Sequence, residues 1–393
     1  MSIDLDVVII GGGVQGLLVL NALTEQGYTC VLVNDGPLGG GQTLHSHGFL
    51  FTGFGQLGDE LPRASTEVVQ PYLRRHGIQP TGEWALMPPP DSPALDMLPP
   101  TSLPSGFSDS LAGKVVRIPD RNFPKRPLVE ALSRGHLDRI LRGRAALALE
   151  GQRVRKVMVR LAAGDEISLQ TRLVVVAAGC ASKSMVESLV GPTAQTEQVK
   201  HRRVHMICVR APHGSLPALS LAAPRLGLML AAHEQTDTVT WYVTPLEFDG
   251  ESYDDVPHDA AGDIDREIVG RGFQTLLALY PPLLGVESLQ LGCYAGYRQD
   301  IGDQPGIPMC EMTEGTTNVL LALPSGNVAA WLNAARIVEI ASDLVDPSGA
   351  QLQLPEGGTG VEVGCAVEDR PDFCWLALDE WVLQYMSGWP MVA

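Results

Sequence analysis

The chain of 393 residues is poor in basic side chains and has no paired cysteines. Lysine and arginine total 28 against 45 aspartates and glutamates, a formal charge of −17. A nucleic-acid binder needs a basic stripe over the phosphates, so the balance argues against that class and against an anionic membrane surface. The acidity itself favours solubility and carries nothing about fold. The seven cysteines (Cys30, Cys180, Cys208, Cys293, Cys310, Cys365 and Cys374) are odd in number, scattered, and form no CxxC pair. That spacing fits reduced thiols of a cytoplasmic protein, with neither a disulfide framework nor a metal site. No apolar run approaches the roughly 20 residues that a membrane span requires. The opening MSIDLDVVII lacks a basic region and reaches glycines by residue 11, so a strand is expected there and not a signal peptide.

What is present is globular: 45% apolar and 19% charged residues, in a chain too long for one ordinary core. Asp6 to Ile10 is a β-branched apolar run, read as a buried parallel strand. Gly11-Gly12-Gly13-Val14-Gln15-Gly16 then satisfies G-x-G-x-x-G. Leu17 to Gln26 has helical spacing, Gly27 stops it, and Tyr28 to Val33 reads as a second strand. Within that unit the glycines let backbone approach a pyrophosphate, and the helix tip aims unpaired N–H groups at it. The acidic residue that usually closes the second strand and accepts from a ribose falls on Asn34, with Asp35 next to it.

The segment after the second strand, Leu38 to Gly48, departs from a simple NAD enzyme. Its Gln42-Thr-Leu-His-Ser-His-Gly48 run, continued by Thr52-Gly53, resembles the Q-S-x-H-x-S-G element of the D-amino-acid oxidase / glycine oxidase / L-2-hydroxyglutarate dehydrogenase superfamily of flavoproteins. Leu173 to Ser182 is similar to that family's V-V-x-A-A-G-x-W-S element, with Ala181 for the tryptophan. Gly296 to Pro308 resembles its G-x-R-P segment, and Asn318 to Trp331 its closing strand–glycine–helix. The likeness covers roughly residues 1–60, 120–185 and 290–345. It implies FAD as cofactor. It also implies an α/β fold: a Rossmann-like FAD-binding domain with a second, α+β substrate domain on a mostly antiparallel sheet. The expected division is 1–77, 125–195 and 293–345 for FAD, 78–124 as a proline-rich insertion, 196–292 for substrate, and 346–393 as an extension.

Several local expectations follow. Residues 126–141 are read as helical and 145–159 as strand pieces. Residues 263–280 and 328–344 are read as helices, and the aromatic stretch 374–389 as a helix packed back on the body. The proline density of 78–124 precludes long helices; it is either a surface excursion or a lid.

The resemblance places FAD against Gly11, Gly13, Val14, Gln15, Gly16, Asn34 and Asp35. It adds Gly41, Gln42, Thr43, His45, Ser46, His47 and Gly48 around the flavin. Ala178 and Gly179 would lie beneath the dinucleotide, and Pro324, Ser325, Gly326 and Asn327 at the flavin O2 edge. Arg298 sits where that family's arginine grips a substrate carboxylate, a group that suits a guanidinium fork. His45 and His47 are candidate proton acceptors, because imidazole titrates near neutrality, and in an extended segment they would point the same way. Thr43-Leu-His45-Ser-His-Gly48 also resembles, in spacing, a run in which histidine bonds flavin covalently. Of Trp241 and Tyr242, one would wall the substrate pocket.

The expected activity is oxidation of a CH–NH or CH–OH bond in a small, carboxylate-bearing molecule. A flavin-dependent monooxygenase and a non-catalytic dinucleotide-binding subunit remain alternatives. The former is disfavoured by Leu323-Pro-Ser-Gly-Asn327, where that class carries Gly-Asp. Oligomeric state is not readable from the chain.

Overall fold

The computed structural model describes residues 2–50, 52, 60–88, 98–111, 115–162, 164–246, 252–253, 264–302, 308–324, 326–350, 352, 354, 361–371 and 373–386. Gly53, Ser325 and most of the Pro88–Pro93 stretch therefore lie outside the described residues.

The β-branched runs at the amino end form the centre of a seven-stranded sheet. Its parallel core runs Val319–Leu323, Glu166–Val176, Ser2–Ile10, Cys30–Asn34, Ile140–Leu147. Two antiparallel strands, Met309–Met312 and Lys156–Leu161, complete it. Val8, Ile9, Val174 and Val175 are fully buried, as strands covered on both faces must be. The Val14–Glu25 helix packs beside the Asn327–Leu344 helix on one face, joined by Lys125–Ser133.

The second sheet is antiparallel except where Leu219–Ala223 runs parallel to Glu83–Leu86. Its longest pairing joins Val199–Pro212 to Gln290–Ile301. The boundary expected at 292/293 thus cuts a continuous strand, because pairing along the whole of 199–212 carries it through. Helix Arg266–Leu279 covers one face, with Asp265 accepting from the amides of Glu267 and Ile268 as its cap. The other face turns toward the glycine loop.

Three further expectations change. The helix expected over 126–141 ends at Ser133, and Ile140 begins a strand paired to Leu32. Sheet completion overrode local propensity there. The proline-rich part is not a loose excursion, since Glu83–Leu86 and Val116–Ile118 extend the second sheet. The aromatic carboxyl stretch forms a short strand, Leu376–Ala377, before its helix, Leu378–Tyr385.

The junction between the sheets is a two-stranded ribbon, Phe49–Leu50 against Arg121–Asn122. Asn122 is fully buried; it accepts from Trp84 Nε1 at 2.9 Å and donates to Ser220 Oγ and Ala232 O at 2.8 Å each. Asn122→Ala removes all three bonds and leaves the indole N–H of Trp84 orphaned. It should cost on the order of 3 kcal/mol in a urea unfolding titration; a loss within error of zero would show that the junction is held otherwise.

Candidate active site

One cavity of ≈ 1590 Å³ lies between the two sheets. Single small-molecule sites run roughly 300–1,000 Å³, so this volume has room for a dinucleotide and a substrate together.

Its first part is backbone. Gly11 has φ +112°, and a Cβ there would lie 2.3 Å from Ala177 O. A Cβ on Gly16 would lie 1.9 Å from Gly11 O. The helix therefore starts against the sheet with no room for a side chain between them. Gly13 caps that helix without a side-chain bond of its own, which leaves first-turn N–H groups beyond Val14 to a ligand. Asn34 does not stand free for a ribose: its Oδ1 accepts from Gly12 N at 2.8 Å and its Nδ2 donates to Gly36 O at 2.6 Å. Thr43 Oγ1 accepts from Val14 N at 3.0 Å, so the histidine loop is tied to the glycine loop. Gln15 is buried and lines the cavity, and its Oε1 has no partner among the described residues. An orphaned buried acceptor beside a bare helix tip fits a bound dinucleotide, and FAD would be held by these groups. The second helix tip there, Gly326–Asn327, also lacks a side-chain cap, and Asn327 Nδ2 donates to Phe49 O at 3.0 Å.

The histidine loop is not extended. Gln42–His45 makes one helical turn and Ser46 follows in extended conformation. His45 Nε2 lies 2.8 Å from Arg370 Nη2. A guanidinium only donates, so Nε2 carries the lone pair and the ring proton sits on Nδ1. His47 Nε2 shares a hydrogen bond with Thr244 Oγ1, and His233 Nε2 donates to His47 O at 2.6 Å.

Burial, then the cations Arg370 and Lys125, lowers the His45 pKa to about 4. His47 is lowered to about 3, by burial first and then Lys125, and His233 to about 4 for the same reasons. These imidazoles do not titrate near neutrality as expected, because the dry, positive pocket disfavours their charged form.

Of the expected residues, Gly11, Gly13, Val14, Gln15, Asn34, Asp35, Gly41, Gln42, Thr43, His45, Ser46 and His47 line the cavity, as do Ala178, Gly179, Arg298, Pro324, Gly326 and Asn327. Gly16 and Gly48 do not. Both are packing glycines, since a Cβ on Gly48 would lie 2.4 Å from Phe123 O. Neither Trp241 nor Tyr242 walls the cavity. Trp241 faces the core beneath helix Arg266–Leu279, and Tyr242 turns the other way but is capped by Glu368, to which its hydroxyl donates.

Sequence reasoning missed the carboxyl segment 361–373. Leu38 N donates to Glu362 O and Gly364 N to Leu38 O, both at 2.8 Å, so the segment returns to the glycine loop. It brings Val367, Arg370 and Phe373 to the cavity wall and buries Glu368 3.4 Å from Lys125 Nζ. Its only signal in the sequence is charged residues set between Val367, Phe373 and Trp375.

Residues 6–91 match the family model described as FAD dependent oxidoreductase. No curated protein matches the chain. Among solved structures, an FAD-dependent oxidoreductase of Pseudomonas aeruginosa superposes with TM-score 0.67 at 20% identity, covering 98% of this chain and 99% of that one. Glycine oxidase from Geobacillus kaustophilus gives 0.65 at 16%, covering 90% and 100%. L-proline dehydrogenase from P. horikoshii gives 0.64 at 13%, covering 90% and 96%.

Two outcomes are expected. Gly16→Ala forces backbone against backbone and should yield protein without bound flavin. Gly135→Ala, where nothing lies within 4 Å, should keep its yellow colour; equal flavin content in both would remove the close-approach argument. The second outcome concerns acid. The lowered histidine pKa values mean that the unfolded chain takes up protons below 6.5 while the folded one does not. Their contribution is complete above 6.5 and is lost as pH falls toward 4. Asp120, raised to about 7 chiefly by burial, acts oppositely and offsets one of the three. The urea midpoint should therefore fall from pH 7.5 to pH 5, and fall more steeply in Asp120→Asn. A midpoint that rises on acidification would contradict neutral buried imidazoles.

Proposed function

We propose that this chain, an FAD-dependent oxidoreductase of the D-amino-acid oxidase superfamily, oxidises the carbon–nitrogen bond of a small amine or amino acid bearing a carboxylate. The observation that carries this reading is the single cavity that runs from the bare helix tip to the face of the antiparallel sheet. FAD, when bound, supplies the hydride acceptor. The amine-oxidising neighbours support a nitrogen substrate.

The protein's own contribution is electrostatic. A substrate ammonium has no lone pair to support C–H cleavage, so it has to be held as the neutral amine. Burial first, then Lys125 and, at His45, Arg370, hold three imidazoles neutral, and the same desolvated, positive surroundings lower the pKa of an amine placed among them. His45 and His47 then serve as uncharged hydrogen-bonding partners, not as bases. The neutral amine is delivered by the pocket and the proton is left to solvent.

The test is anaerobic mixing of the flavin-loaded protein with matched amino acids and 2-hydroxy acids. Bleaching of the flavin absorbance by amino acids is expected. Bleaching by hydroxy acids alone would move the reaction to carbon–oxygen oxidation, and bleaching by NAD(P)H alone would make it a monooxygenase.

A further inference from the structure

The arginines of the cavity are not equivalent. Arg298 Nε lies 2.7 Å from Asp300 Oδ1, and Arg202 Nε lies 3.5 Å from Asp300 Oδ2. The carboxylate of Asp300 therefore already faces both. Arg370 has no carboxylate partner among the described residues. Its one side-chain bond goes to neutral His45, which offsets no charge. A half-buried guanidinium on the cavity wall whose one side-chain partner is neutral is suited to bind an anion.

Its position is built. Glu368 accepts from Lys125 and Tyr242. Trp375 Nε1 donates to Glu368 O at 3.3 Å, and the guanidinium of Arg210 stacks 4.0 Å over the Trp375 ring. Beside Arg370 the wall is apolar: Leu86, Met206, Met229 and Phe373 belong to one cluster on the sheet face.

We propose that Arg370, carried by the carboxyl segment, binds the substrate's carboxylate in place of Arg298, and that the substrate's remaining part is a hydrocarbon chain lodged on Leu86, Met206, Met229 and Phe373. The substrate class is then an amino acid with an apolar side chain. This rests on the oxidase reading above, and binding and turnover are measured separately so that each can fail alone.

The probes are n-alkanoates from acetate to octanoate, titrated into flavin-loaded protein and followed by perturbation of the flavin spectrum. In the unaltered protein, affinity should rise about fourfold per methylene until the wall is filled. Arg370→Met should weaken octanoate at least tenfold more than Arg298→Met does, with flavin content unchanged. Arg370→Lys should recover part of the loss, which separates lost charge from misfolding. Octylamine should gain nothing from Arg370. Octanoate binding unaltered in Arg370→Met, or lost chiefly in Arg298→Met, would overturn the proposal. So would affinity independent of chain length. Tight alkanoate binding without bleaching by any amine would leave Arg370 as the anion site and defeat the oxidase reading instead.

Discussion

Everything in the site depends on how closely one helix meets one sheet. Gly16 stands so near the carbonyl of Gly11 that a single methyl group would part them. Gly11 in turn lies against the backbone of Ala177 and Ala178, just past the end of the neighbouring strand. This contact fixes where the helix tip points and where the cavity floor lies. It also sets the place of Thr43, whose hydroxyl takes the Val14 amide and so positions the histidine turn. A cofactor site of this kind is made of backbone, with side chains used mainly to hold backbone in place. Asn34 shows the economy of that arrangement. Where an acidic residue would reach for a ribose, it instead ties the glycine loop to the turn at Gly36 and Pro37.

The substrate side obeys a different constraint. Imidazoles, a lysine, a glutamate and an arginine are gathered where water is largely excluded, and charge there has to be balanced or suppressed. Lys125 and Glu368 balance one another, as do Arg298 and Asp300. The histidines are suppressed, each held in its neutral form. Arg370 is neither balanced nor suppressed. The same logic covers the cysteines that sequence spacing left as plain thiols: Cys180 borders the cavity, but burial pushes its pKa up to about 12, so it stays protonated and unreactive.

The two sides differed in how far they could be read from the chain. The backbone-built side writes itself into sequence as glycine spacing between β-branched runs, because only glycine tolerates those contacts. The FAD-dependent oxidoreductase class, the cofactor and the mixed fold were legible from residues 6–48 and from the strand ending at Val176 with the Ala177–Gly179 stretch that follows it. The side-chain-built side was not. Lys125, Tyr242 and the pair Glu368 and Arg370 come from three separate segments, and nothing local distinguishes them from surface charges or core aromatics. The histidines were found, yet their protonation was misread. An imidazole's ordinary pKa belongs to water, and the neighbours that move it are remote in sequence. Arg298 lines the cavity, and the charge partner that its surroundings call for is Asp300, two residues along the same strand.

The carboxyl segment joins these two regimes into one device. Asn21 on the glycine helix donates to Leu17 O and Leu132 O, each at 2.7 Å, which seats helix Lys125–Ser133. That helix begins with Lys125, which meets Glu368, and two residues later Arg370 meets His45. His45 in turn sits on the turn anchored at Thr43. The chain of contacts closes on itself, from the helix tip through Lys125 and the carboxyl segment back to the histidine loop. A buried ion pair adds little net stability, because desolvation cancels most of its attraction, but a misplaced partner leaves a bare charge and is strongly penalised. Lys125 and Glu368 therefore serve registration. They permit one seating of the segment against the body, and that seating sets the distance between the groups that hold the cofactor and the group that faces the substrate's charge.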